Sequence, residues 1–190
     1  LMNTIYDEEE IRDHILRAVY GNWYNVKQDP ANADLQLKWM AYVAGRRESR
    51  RIMGDYILKE SDVINHPDFE DGFVEEVRDI DIHYPKGGEY DFITYADFTK
   101  IERYKIPYRC LYSKDIDNLF MAGRCLSATH VGLGSPRVMH TTAQMGVVVG
   151  TAAVVCSEND CSPREVYQSH LSDMKNRLDK MRIEEKVKKH

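Results

Sequence analysis

The run from Asn118 to Ala153, NLFMAGRCLSATHVGLGSPRVMHTTAQMGVVVGTAA, limits what this chain can fold into more than any other stretch. Residues 118–122 form an apolar run too short for a helix, set between the turn-prone pair Asp117-Asn118 and Gly123. A buried strand is expected there. The loop that follows carries Gly123, Ser127, Thr129, His130, Gly132, Gly134 and Ser135, so bare backbone and small hydroxyls can approach a ligand closely. Pro136 stands where a first helical residue is favoured, with Ser135 as N-cap, and a helix from Pro136 to about Val155 is predicted. Such a loop presents unpaired N–H groups and the positive end of the helix dipole, which favour a phosphate or an electron-rich ring edge. A plain strand-to-helix crossover, its glycines serving only turn geometry, has the same pattern. Gly132-x-Gly134-x-x-Arg137 is not a dinucleotide fingerprint, because its third position is arginine and the loop is longer than that tight turn allows. Within the helix, Ala143, Gly146, Gly150 and Ala153 share one face nearly bare of side chain. Each glycine there costs about 1 kcal/mol of helix propensity, so another backbone is expected to press against that face.

The rest of the chain reads in shorter pieces. Ile11, Ile15, Val19 and Trp23 recur at four-residue steps behind an acidic start, which predicts a helix over 7–27, and a shorter helical stretch is expected from Asp29-Pro30 towards Leu37. Trp39 to Val43 and Arg51 to Leu58 read as two strands joined through Gly45. Between them Arg46, Arg47, Glu48, Arg50 and Arg51 form a dense charge cluster that reads as a solvated hairpin end. Glu60-Ser61-Asp62 caps a brief helical turn, and 66–72 reads as loop. Asp79-Ile80-Asp81-Ile82-His83 alternates as a strand with its polar groups on one face. Pro85 to Arg103 is expected to be loop and irregular strand. Ile106-Pro107-Tyr108-Arg109 reads as an extended edge. Ser162-Pro163-Arg164-Glu165 is a capping box opening a last helix that runs through Val166, His170, Met174 and Leu178 and frays beyond Arg182. A net charge of −5 without a broad basic face argues against nucleic acid, and no apolar run approaches the roughly 20 residues of a membrane span. Cys110, Cys125, Cys156 and Cys161 have no paired-ligand spacing; free thiols, no metal site and a cytoplasmic location are expected.

The run 118–153 also resembles the C-terminal flavin-binding segment of FAD-dependent oxidoreductases with a glutathione-reductase-like FAD domain. More narrowly it is similar to a mostly uncharacterised bacterial branch in which an "AGRC-S-TH…G-S-RVM" run precedes the last helix of that domain. Gly45-Arg46-Arg47-Glu48-Ser49-Arg50-Arg51-Ile52 with Gly54-Asp55-Tyr56, Asp79 to His83, and Ile106 to Arg109 match the same branch in order, so the resemblance covers about 39–156. It implies an α+β fragment of an α/β two-domain flavoprotein: a substrate-domain portion over 1–110, a C-terminal FAD-binding segment over 111–160 and a closing helix over 161–190. The strand–GxGxxG–helix half that holds the adenosine and pyrophosphate of FAD is not found in this sequence. That half is therefore expected from a missing N-terminal portion or a partner chain, with a small organic molecule as substrate. By resemblance, Gly123, Arg124, Ser127, Gly134, Ser135 and Arg137 are candidates for the cofactor, His130 for proton transfer, and Arg47, Arg50, His83, Tyr108 and Arg109 for the substrate. A non-catalytic subunit completed by a partner and a ligand-binding domain without redox activity are the alternatives.

Overall fold

The computed structural model describes residues 2–85 and 94–188, with side chains described through 83 and from 96 to 182. The chain divides into two compact units, Leu1–Ser49 and Arg50–His190. The first is built on helix α1, Glu8–Lys27, with Glu8, Glu9 and Glu10 in its first turn and Lys27 in its last, the charge order that the helix dipole favours. Lys27 Nζ donates to the carbonyls of Asn32 (3.2 Å) and Leu35 (3.0 Å), holding the segment that follows against the helix end. The expected second helix shrinks to a 3-10 turn, Pro30–Asn32, capped by Asp29. The strand expected over 39–43 does not form. Trp39, Tyr42 and Val43 are exposed, and β-forming residues without a cross-strand neighbour gain little from extension. Arg12 lies 5.4 Å from the Tyr42 ring centroid, and Arg46 pairs with Glu8.

The second unit is mixed α+β. The strand expected over 51–58 is reduced to one parallel bridge, Leu58 to Ala128. Helix α2, Glu60–Asn65, has the Asp62 carboxylate reaching back to the Lys59 amide and ends at His66 in the left-handed region. Strand β1, Gly72–Glu76, starts at the last residue of the loop expected over 66–72, and pairs antiparallel with β4, Tyr104–Pro107. Strand β2, Ile80–Pro85, is the expected alternating strand and pairs antiparallel with β3, Thr94–Thr99. Gly87-Gly88 lies outside the described residues, but 94–99 is a regular strand where irregular chain was expected. The expected strand 118–122 survives as a single antiparallel bridge, Tyr112 to Phe120.

Helix α3 spans Met139–Asn159, starting three residues later than Pro136. Its N-cap is Val138, and Ser135 does not cap it, because the Ser135 hydroxyl donates instead to the Arg78 carbonyl (2.6 Å). Near that helix start, the Thr141 hydroxyl donates to the buried Glu76 carboxylate at the end of β1. A negative group beside a helix N-terminus is favourable. α3 packs against β1 and against two further helices, α4 (Pro163–Ser169) and α5 (Leu171–Lys188). By length and composition alone α3 could cross a membrane, a property that core helices share. α4 opens with the predicted Ser162–Glu165 capping box. The expected single last helix is broken at His170, and the helical backbone continues to Lys188 where fraying was expected. The apolar core, including Leu58, Ile106, Leu111, Leu126, Met145 and Met174, lies wholly in this unit.

Candidate functional site

Gly123 opens the loop at φ +101°, a conformation few side chains tolerate, and a Cβ there would come no closer than 4.0 Å to the Thr142 side chain. Arg124 and His130 are exposed. Between them the chain turns inward. The Ser127 amide donates to the Cys110 carbonyl, and its own carbonyl accepts from the Leu58 amide (both 3.0 Å). Ser127 is thus a core residue; its buried hydroxyl has no hydrogen-bond partner among the described residues.

Residues 131–137 form consecutive turns. Gly134 sits so close to β2 that a Cβ would lie 2.6 Å from Ile82 Cδ1 and 2.9 Å from Ile80 Cγ2, and its amide donates to the Val131 carbonyl (2.9 Å). The buried Ser135 hydroxyl accepts from Tyr104 (3.1 Å) while donating to Arg78. Burial pushes the Tyr104 phenol well above its ordinary value, so it remains a donor at any physiological pH. Gly134 and Ser135 therefore lock the loop onto β2 and β4.

The same loop delivers Arg137 to β2. Its Nη2 donates to the Asp81 carbonyl at 2.6 Å and lies 3.5 Å from Asp81 Oδ2. Arg78 Nη2 stands 2.7 Å from that Oδ2, and His83 Nε2 stands 3.0 Å from Oδ1. Two predicted residues, Arg137 for the cofactor and His83 for the substrate, so meet on one carboxylate. The Asp81 side chain is only 6% exposed, whereas Arg78 is 40% and His83 32% exposed. Asp79, expected on the same face, precedes the strand and accepts from the Ile101 amide (3.2 Å). Asp81 was legible through its two-residue offset from His83. Arg78 was not, because it lies outside the strand whose alternation carries that signal.

Tyr108 and Arg109 are engaged elsewhere. Tyr108 is fully buried and donates to the Pro163 carbonyl at 2.8 Å. Arg109 makes a bidentate pair with the buried Asp71 (2.9 and 3.0 Å) between the rings of Tyr56 and Tyr167. The Asp71 hydrogen bond holds that guanidinium protonated. These residues fasten α4 and the chain after β4. Arg47 is exposed in the first unit; Arg50, exposed, begins the second.

No curated protein and no solved structure matches the chain. The family model described as FAD dependent oxidoreductase matches residues 2–178. With nearly the whole chain inside that match, and with its glycine-bearing loop, long helix and polar cluster in one unit, this chain belongs to the FAD-dependent oxidoreductases.

Proposed function

We propose that this chain supplies the substrate-domain portion and the flavin-ring end of an FAD site, of the kind found in the bacterial branch it resembles, and that the protein oxidises or reduces a small organic molecule. The observation that carries this reading is the convergence of Arg137 and His83 on Asp81. It ties the loop assigned to the cofactor to the strand assigned to the substrate.

The residues fit FAD in part. Gly123 offers bare backbone with open space around it, the adjoining Arg124 is exposed, as is His130 later in the same loop, and α3 begins without a side-chain N-cap. Gly134 and Ser135 act one step back, as residues that shape the loop. Ser127 lies inside the core, where its orphaned hydroxyl could serve the group only if the loop opened. When bound, FAD supplies the electron-accepting ring. This chain's residues then hold and orient: Gly123 and Arg124 are suited to the polar chain of the cofactor, and His83, steadied by Asp81, can take or return a proton. His130 remains a candidate for the same task.

The adenosine half is proposed to come from residues outside this sequence or from a partner chain. Titration of the purified chain with FAD, with and without an added polypeptide carrying a GxGxxG strand–turn–helix, tests this. Weak or no binding alone and firm binding with the added half are expected; stoichiometric flavin on the chain alone overturns it. A reading as a non-catalytic subunit draws on α3, whose Ala143, Gly146, Gly150 and Ala153 are exposed here. Co-purification of a flavin-bearing partner whose turnover is unchanged by variants of this chain's Asp81 cluster would favour it.

A further inference from the structure

We infer that Arg78, His83 and Arg137, gathered on the buried Asp81, receive the carboxylate of an anionic organic substrate, an assignment that rests on the oxidoreductase reading above. Three observations converge. First, two guanidinium groups, charged at all physiological pH, contact a single carboxylate (2.7 and 3.5 Å). The neighbouring acids are committed to other donors: Asp79 to the Ile101 amide, and Glu76 to the amides of Val77 and Arg78 and the Thr141 hydroxyl. Second, the acid forms the floor with Arg137, 13% exposed, beside it, and Arg78 and His83 form the rim. Asp81 is nearly enclosed while Arg78 and His83 reach solvent, so an arriving anion meets a guanidinium and an imidazole already oriented. Third, the Asp81 carboxylate shows in part what this donor set holds: Arg78 donates to Oδ2, whereas His83 Nε2 lies 3.0 Å from Oδ1 without a hydrogen bond to it. The donors come from the approach to β2, from β2 and from the loop before α3, and that loop is pinned by Gly134 and Ser135. Such preorganisation lowers the ordering cost of binding.

A phosphate, including that of the cofactor, presents related oxyanion chemistry, so the test carries both. The whole chain, labelled with 15N, is titrated at constant ionic strength with sodium succinate, with sodium pyrophosphate, and with sodium chloride as control. Saturable shifts of the Arg78 Nε–H and the amides of 78–83 are expected with succinate, and Arg78→Gln should weaken that binding at least tenfold with an unchanged circular dichroism spectrum. If that variant does not fold, His83→Gln serves in its place. Absence of saturation, an equal response in the variant, or tighter binding of pyrophosphate than of succinate overturns the assignment. Succinate binding by a chain that never takes up FAD, even with the added half, would retain the anion site and discard the flavin reading. FAD uptake without any succinate response would do the reverse.

Discussion

At Asp81 one buried carboxylate holds three bases drawn from separate parts of the chain, and the consequence for stability can be bounded. Removing one member of a fully buried ionic group typically costs about 3–5 kcal/mol. Arg78 and His83 reach solvent and can rehydrate, so Asp81→Asn is expected to cost less, about 2 kcal/mol, read as a lowered urea midpoint with unchanged slope. Gly134 answers a different question, whether a loop glycine serves a ligand or the fold. A methyl group there would fall 2.6 Å from Ile82 Cδ1, and overpacking of this kind costs about 1–3 kcal/mol. Gly134→Ala should therefore lower the melting temperature of the chain by itself, with no ligand present. An unchanged melting temperature would mean that β2 does not hold the loop at this point. The spacing Gly132-x-Gly134 was visible in the residues, but its purpose was not, since a glycine pressed on a strand and one exposed to a phosphate look alike in one dimension.

Among the elements, α3 separates local preference from a role in assembly. Gly146 and Gly150 lie on its exposed face, and a Cβ at either would meet nothing within 4 Å. Gly146→Ala should then stabilise the chain alone by about 0.5–1 kcal/mol, the ordinary gain in a helix interior. If that face is covered by another backbone in the assembled protein, the same variant weakens the assembly, and the opposite signs can be read from melting with and without the added half. α4 is tied down by a pair that depends on pH. The Arg164 hydrogen bond holds the Asp55 carboxyl below the ordinary carboxylate range, at 2.7 Å. A depressed folded value means the unfolded chain binds more protons, so the stabilisation is whole above about pH 4 and is lost as pH falls through the folded value. Acid titration of stability should show this loss in the parent chain and a flatter profile in Arg164→Gln. Helices with strong local signals were legible: the acidic start of α1 and the Ser162–Glu165 box name their own ends. The strands were legible only where alternation was strict, as in β2. β1 was hidden because its sequence, GFVEE, buries Glu76, a residue that reads as solvent-facing until its partners Val77, Arg78 and Thr141 are known.

For the whole molecule, the two units differ in what holds them. Every residue of the apolar core lies between Leu58 and Leu178, and none of the described residues of the first unit is buried. The stripe Ile11, Ile15, Val19 and Trp23 lies on helix α1 as its spacing predicts, yet Ile15 is 39% exposed, so periodicity foretells the helix without foretelling what covers it. A helix whose stripe is only partly covered draws little stability from packing, and packing rather than propensity supplies most helical stability in proteins. Most of the cooperative unfolding free energy must then reside in the second unit. Two outcomes follow for the full chain under native conditions. Limited proteolysis should cut first within 28–49, where Trp39, Tyr42 and Val43 are exposed and no regular element follows the 3-10 turn, and it should leave a resistant fragment beginning close to Arg50. Amide exchange should be slowest in α3, whose Met145, Val148, Ala152 and Val155 are buried, and fast along α1, because protection follows buried contact rather than helical content. Equal protection of α1 and α3 would contradict this, and would mean that the apolar stripe of α1 is covered in solution.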